Sequence, residues 1–215
     1  MRDRKPNPIL EKISFFDITH DGKAVGKHEE MIVFAEQAVP GDIADVQVYR
    51  KKKSFFEGRA TQFHELSKLR EKPFCSHFGI CGGCKWQHLS YAAQLDFKHK
   101  QVTDSLERLA KIDDQTISPI LGSKETSHYR NKLEFTFSNK RWLDRVDMDN
   151  PADNQDMDAL GFHVPGRFDK IVSVDTCYLQ DDLSNKIRNS IGAFVKKHQL
   201  AFYDLKAHSG FLRNL

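Results

Sequence analysis

The chain has 215 residues, 39% hydrophobic and 29% charged, with a net charge of +3 and four cysteines. That length suits one large domain or two modest ones, each able to bury a core without crosslinks. No run approaches the roughly 18 apolar residues of a membrane span, and the opening MRDRKPNP has charge but no apolar stretch behind it, so a soluble, unexported, cytoplasmic chain with no membrane partner is expected.

In a reducing compartment, four cysteines point to metal binding or catalysis rather than to disulfides. The charge is uneven. Residues 142–160 (WLDRVDMDNPADNQDMDAL) hold six Asp against one Arg, which leaves +8 on the remainder. Diffuse positive charge of that size suits a polyanion, and an ordinary solvated surface explains it equally well.

From residue 8 to 63 the chain alternates apolar and polar residues in short runs separated by turn signals: ILEKISFF, THDGK, MIVFA, VPGD, IADVQVY. Asp21-Gly22 and Pro40-Gly41 are the strongest turns. Five short strands in this span predict a small barrel of the oligonucleotide-binding kind. Within it, Tyr49-Arg50-Lys51-Lys52-Lys53-Ser54-Phe55-Phe56 combines cations that neutralise phosphates with aromatic faces that stack on bases. A basic hairpin tip with one phenylalanine turned into the barrel accounts for the same residues, so one of the two is expected to be core.

Residues 67–72 (SKLREK) form a polar linker into CSHFGICGGCKWQH. Beyond it, Tyr91, Leu95, Val102, Leu106, Leu109 and Ile112 trace one stripe of an amphipathic helix with Ser90 as N-cap; Lys98, His99 and Lys100 fall off that stripe. A second β region follows in NKLEFTFS, ALGFHV and KIVSV. If the first of these strands starts near Tyr129, Arg130 and Lys132 share one face and Leu133, Phe135 and Phe137 the other. The acidic residues 142–160 suggest a long exposed connection and lack a Ca²⁺-loop spacing. A last helix is signalled by Leu183, Ile187, Ile191, Phe194 and Val195, capped by Asp181 or Asp182, with Lys196 and Lys197 near its end.

Cys75 and Cys81 are separated by five residues, Cys81 and Cys84 by two glycines. A Cys-x-x-Cys pair brings two thiolates to one metal centre, and glycines permit the close backbone approach this requires. Zinc would need four tetrahedral ligands, with His77 or His88 available to complete them. A redox pair would need a thioredoxin-like βαβ setting, which is missing from the pattern. A [4Fe–4S] cluster takes one thiolate per iron and would use all four cysteines, Cys177 included, so the count leans to iron–sulfur without excluding zinc.

C-S-H-F-G-I-C-G-G-C-K-W-Q-H followed by Y-A-A-Q-L-D-F-K resembles the iron–sulfur signature of the RumA-type 23S ribosomal RNA (uracil-5-)-methyltransferases. D-G-K-A-V-G and V-P-G-D resemble the TRAM domain that precedes the signature in that family. Tyr129-Arg130-Asn131-Lys132 and Leu160-Gly161-Phe162-His163 are similar to its central domain, and Cys177 matches its fourth cluster cysteine. The resemblance implies an α+β architecture: a TRAM barrel over 1–66, an iron–sulfur segment over 67–90, and a central domain over 91–215.

It further implies a [4Fe–4S] cluster on Cys75, Cys81, Cys84 and Cys177, and methyl transfer from S-adenosylmethionine to carbon 5 of a uridine in 23S rRNA. In the family a cysteine thiolate adds to carbon 6 and a glutamate removes the carbon-5 proton, from a base drawn out of the RNA fold. Those groups belong to a Rossmann-like domain beyond Leu215 in the family's order, and no glycine-rich nucleotide loop appears in these residues. The expectation is therefore an RNA-recognition fragment, inactive alone, with no catalytic residue of its own. Its cluster would be structural and its RNA contacts would lie at Arg50, Lys51, Lys52, Lys53, Phe55, Arg130 and Lys132. No obligate protein partner is implied. Two rivals are a radical S-adenosylmethionine methylthiotransferase, whose barrel sits at the other end of the chain, and a non-catalytic RNA-binding protein with structural zinc.

Overall fold

Strands β1 (Ile9–Ile18), β2 (Ala24–His28), β3 (Met31–Glu36), β4 (Ile43–Lys51) and β5 (Phe55–Glu65) close into a barrel in the order β1-β2-β3-β5-β4. This is a computed structural model, and it describes residues 7–112, 117–143, 148–149 and 156–215. Every second residue of β4 faces inward, Ala44, Val46 and Val48, and Val33 and Ala35 do the same in β3, the period of two that the sequence shows. Closure depends on β1, which pairs with β4 through its first half and with β2 through its second; register shifts between Leu10 and Ile13 and between Phe15 and Asp17 bend it between the two partners. The pairing of β3 with β5 is parallel and the other pairings are antiparallel. Both expected glycine turns are present, with Gly22 at φ +83° and Gly41 at φ +91°. Of the two phenylalanines, Phe56 is core and Phe55 half-buried, as one of the sequence alternatives required.

The barrel belongs to a unit comprising Met1–Pro73 and Lys85–Gly122; the second unit comprises Phe74–Cys84 and Ser123–Leu215. Helix α1 (Tyr91–Ser105), which the sequence places at the start of a central domain, sits in the barrel's unit. Ser90 caps it through Ala93 N–H as expected, but the inward face is not the expected stripe. Ala93 is buried with Leu89, Ile18 and Val39, Phe97 packs beside them, and Gln101 donates to the Ile18 carbonyl at 2.7 Å. Lys100 bridges Asp17 and Asp104 at 2.7 and 2.9 Å. Val102, Leu109 and Ile112 are exposed. Side-chain hydrogen bonds to the barrel, which apolar periodicity does not register, select the face. The helix then widens into a π-helical turn (Leu106–Ala110) that ends at Lys111 with φ +58°.

Asp42 holds this unit together. Its carboxylate, fully buried, accepts from Val39 N–H at 2.7 Å, from Ser67 N–H at 2.9 Å and from the Arg70 guanidinium at 2.7 and 2.8 Å. Arg70 also donates to the Gln37 carbonyl and lies 4.6 Å from the Phe63 ring. One bridge further, Arg70 pairs with Leu89, flanked by Glu71 N–H to His88 O and Ser90 N–H to Leu69 O. The stem entering the cysteine loop is thereby joined to the stem leaving it.

In the second unit, β6 (Thr136–Ser138), β7 (Ala159–Val164) and β8 (Arg167–Ser173) form an antiparallel sheet in that order. β6 starts at Thr136 rather than near Tyr129, because His128 and Arg130 spend their N–H groups on the carbonyls of Tyr178 and Leu179. The expected alternation survives from Leu133 onward, with Phe135 and Phe137 buried. The expected long connection over 142–160 falls largely outside the described residues. Asp156, at its described end, pairs with Lys196 at 2.6 Å.

Helix α2 (Asp182–Lys197) is capped by Asp181, which accepts from Ser184 N–H at 2.7 Å. Its expected apolar stripe is mostly outward: Leu183, Ile187 and Phe194 are exposed, and Asn185, Arg188 and Val195 are buried. Among the described residues, no helix is long and apolar enough to cross a membrane.

Two outcomes follow from the barrel unit. Asp42→Ala leaves Arg70 and two N–H donors without their acceptor; since the Arg70 side chain keeps 22% exposure, a loss of about 3 kcal/mol is expected, the low end for breaking a buried pair, measured by urea unfolding. His88 is held neutral by burial, against the opposing hydrogen bond to Ala38 O, so its pKa lies below 6.5. The unfolded chain takes up that proton first, so stability should fall as pH drops below about 6.5 and continue down through the lowered folded value. His88→Gln should flatten the dependence of the urea midpoint between pH 7.5 and 5.5, and an unchanged dependence would refute the assignment.

Candidate functional site

The loop at residues 75–84 winds through turns closed by Phe78 N–H to Cys75 O, Ile80 N–H to His77 O and Cys81 N–H to His77 O, at 3.1, 3.2 and 2.9 Å. Its glycine pair then meets β7. Gly82 N–H donates to the His163 carbonyl at 3.1 Å, and a Cβ on Gly82 would lie 2.6 Å from that oxygen, so a larger residue forces the loop off the strand. Gly83 N–H donates to Cys81 Sγ at 3.3 Å. The glycines expected to allow close approach thus have a specific task each.

Ile80 and Cys84 pack against the cluster of Phe135, Val164, Val172, Val174, Cys177 and Leu179. Cys177 is buried, and all four cysteines are thiols rather than disulfides. Burial, above all, pushes the Cys81 thiol up to about 11; negative charge on Cys84, Cys75 or Cys177 adds to the rise, and the Gly83 N–H opposes it. All four cysteines lie in the second unit.

Cys177 is held by α2. Its N–H donates to Asn185 Oδ1 at 2.8 Å, and Asn185 Nδ2 donates back to its carbonyl at 3.1 Å. Arg188, buried behind Asn185, donates to the same Oδ1 at 2.9 Å and to the Asp175 carbonyl at 2.5 Å. Sequence reasoning missed both residues, since an Asn and an Arg three positions apart on a helix carry no signal of an inward face.

Soft thiol donors and an N–H aimed at sulfur are chemistry that suits an iron–sulfur cluster. Among the described residues, no three His, Cys, Asp or Glu side chains are grouped as ligands of a single metal ion. Of the two histidines considered as zinc ligands, His88 lies in the barrel unit and is buried, with Nε2 at 3.2 Å from the Ala38 carbonyl.

The residues expected to contact RNA divide between the units. Arg50 is exposed but paired with Glu57 at 3.0 Å, and Glu57 also pairs with Lys23 at 3.0 Å. Lys51 sits 5.2 Å over the Phe56 ring. Lys52 and Lys53 are exposed at the tip, and Phe55 stands edge-on to Phe34 with centroids 5.6 Å apart. Arg130 and Lys132 are exposed in the second unit, on irregular chain rather than on a strand face.

No family model matches the chain. It is similar to proteins named "Uncharacterized RNA methyltransferase" from Bacteroides thetaiotaomicron (50% identical over 195 residues, 91% of this chain and 43% of that protein) and Porphyromonas gingivalis (43% identical over 204 residues, 93% and 44%). A third relative so described, from Chlorobaculum tepidum, is 41% identical over 219 residues, 100% of this chain and 45% of that protein. The fold resembles that in the crystal structure of Pyrococcus abyssi tRNA (uracil-54, C5)-methyltransferase in complex with S-adenosyl-L-homocysteine, with a TM-score of 0.58, 22% identity, and coverage of 94% of this chain and 41% of that one. The chain spans less than half the length of the relatives it matches, and over nearly all of its own length it is a homologue of proteins named RNA methyltransferases.

Proposed function

We propose that the chain is the RNA-recognition part of an S-adenosylmethionine-dependent methyltransferase that acts on carbon 5 of a uridine in 23S rRNA, with a [4Fe–4S] cluster on Cys75, Cys81, Cys84 and Cys177. The observation that carries the methyltransferase reading is 50% identity to an RNA methyltransferase homologue across 91% of the chain. The fold shared with a uracil-C5 enzyme that binds S-adenosyl-L-homocysteine supports the uracil reading. The presence of all four thiols in one unit, with Cys84 packed against the core that contains Cys177, supports the cluster.

In this reading the chain's own residues bind and orient RNA. Lys51, Lys52 and Lys53 neutralise phosphates at the barrel tip, and Phe55 offers a ring edge beside them. Arg50 adds little charge there, since Glu57 already offsets it in the ion pair. Arg130 and Lys132 present two further cations. A bound cluster would supply a covalent tie between the 75–84 loop and the Cys177 turn, without an electron-transfer step. Uracil methylation itself needs a nucleophile at carbon 6 and a base at carbon 5. With all four cysteines holding iron, that nucleophile lies in the remaining part of the enzyme.

Mapping 5-methyluridine by mass spectrometry in rRNA and tRNA from a strain lacking the gene tests the target. Loss at a 23S site is expected; loss confined to tRNA overturns the rRNA assignment, and no loss in either overturns the methyltransferase reading. Reversing Lys51, Lys52 and Lys53 to Glu should weaken binding of a 23S rRNA fragment and reduce the slope of log K against log salt by about 2, three phosphate contacts at roughly 0.7–0.9 each. An unchanged slope places the RNA elsewhere.

A further inference from the structure

Helix α2 buries the wrong side for a helix of its composition. Leu183 and Ile187 face solvent at 65% and 53% exposure, while Asn185 and Arg188 are buried at 7% and 2%. Burying an amide and a guanidinium is costly unless each is satisfied, so what they satisfy identifies their task. Asn185 is engaged on both sides of Cys177, accepting from its N–H and donating to its carbonyl. Because Asn185 Oδ1 receives hydrogen bonds from both Cys177 N–H and Arg188 Nη1, the amide has one permitted orientation. Arg188 spans the turn, reaching the Asp175 carbonyl with Nη2, and Asn189 Nδ2 donates to the same carbonyl at 3.0 Å.

The acceptors of Arg188 are all neutral oxygens: Asn185 Oδ1, Asn189 Oδ1 and Asp175 O. Besides those oxygens, the Asp175 carboxylate acts on it electrostatically. The Phe135 ring, 4.9 Å from its Cζ, covers the guanidinium on the core side. Burial disfavours the charged guanidinium, and negative charge at Cys177 or Asp175 offsets that cost. A thiolate-ligated cluster would put that charge there.

We infer that Asn185 and Arg188 are positioning residues for the metal centre: Asn185 sets the Cys177 turn in its ligating conformation, and Arg188 locks Asn185 and serves as the internal counter-charge of the anionic cluster. This rests on the reading of the four cysteines as a [4Fe–4S] site. It separates two properties that an ordinary structural role would move together. Without iron, the Asp175 carboxylate and neutral oxygens face the Arg188 charge, so removing it should cost the iron-free form less than the loaded form. With the cluster bound, removing it should weaken the cluster's hold and lower its reduction potential, since a nearby positive charge favours the more negative, reduced form.

The test uses the whole chain, reconstituted anaerobically with ferrous iron and sulfide, as wild type, Arg188→Met, Arg188→Lys and Asn185→Leu. Thermal unfolding of the iron-free and loaded forms, release of iron to a chelator and the cluster's midpoint potential are measured. Arg188→Met should lower the unfolding temperature of the loaded form more than that of the iron-free form, release iron about 10- to 100-fold faster when loaded, and show a more negative potential. Arg188→Lys should restore the potential but not the release rate, and Asn185→Leu should release iron quickly with the potential nearly unchanged. Equal release and equal potential in wild type and Arg188→Met overturn the inference, as does equal destabilisation of its iron-free and loaded forms. Failure of the wild type itself to take up iron, to the same degree as Cys81→Ser, overturns the cluster reading and this inference with it.

Discussion

The Asp42 carboxylate is the point on which the barrel unit turns. A β-barrel closes its own hydrogen bonds and has no intrinsic need of the segments that follow it, yet here residues 67–70 and 88–90 and the start of α1 are all tied back to one buried acid. Gly41 makes the approach possible: it sits at φ +91°, and a Cβ on it would lie 2.6 Å from Ser67 Oγ. The turn that the sequence marks as Pro40-Gly41 therefore shapes more than a hairpin. It delivers the next residue into the interior and leaves room for the chain that will satisfy it.

The second unit solves a related problem with a different element. The turn at Cys177 is buried, and a buried turn must have its backbone satisfied. Helix α2 does this with its polar side chains, Asn185 and Arg188, while Leu183, Ile187 and Phe194 remain exposed. The same exchange occurs in α1, where Gln101 and Lys100 bond to β1 residues while Val102 and Leu109 remain outside. In both helices directional bonds act together with apolar contacts to set the orientation.

This explains what could be read from the sequence. The barrel was legible because a strand's period of two and its turn glycines are local: Val33 and Ala35, Val46 and Val48, Gly22 and Gly41 all stand where alternation and turn chemistry put them. The 75–84 loop was legible because thiol spacing and glycines constrain the chain within a few residues. Helix existence and caps were legible for the same reason, with Ser90 and Asp181 both in place. Helix faces were not, since they are set by partners far along the chain: Ile18 for Gln101, Cys177 for Asn185. The late start of β6 has the same origin, in carbonyls at Tyr178 and Leu179. Nor could the pairing of Arg50 with Glu57 be read, which removes much of the charge that made Arg50 a candidate for phosphate contact.

The chain passes between its two units at residues 73 and 74, again at 84 and 85, and a third time at 122 and 123. Neither unit is a continuous stretch of polypeptide. A gene fragment ending at residue 66 or 73 would encode the barrel strands without Leu89 and Ala93, and one beginning at residue 91 would encode Cys177 without the three cysteines that share its unit. The two units are thus bound to a common inheritance. Gene fusion or recombination can exchange the pair as a whole, but shuffling either one as an independent module would leave both incomplete.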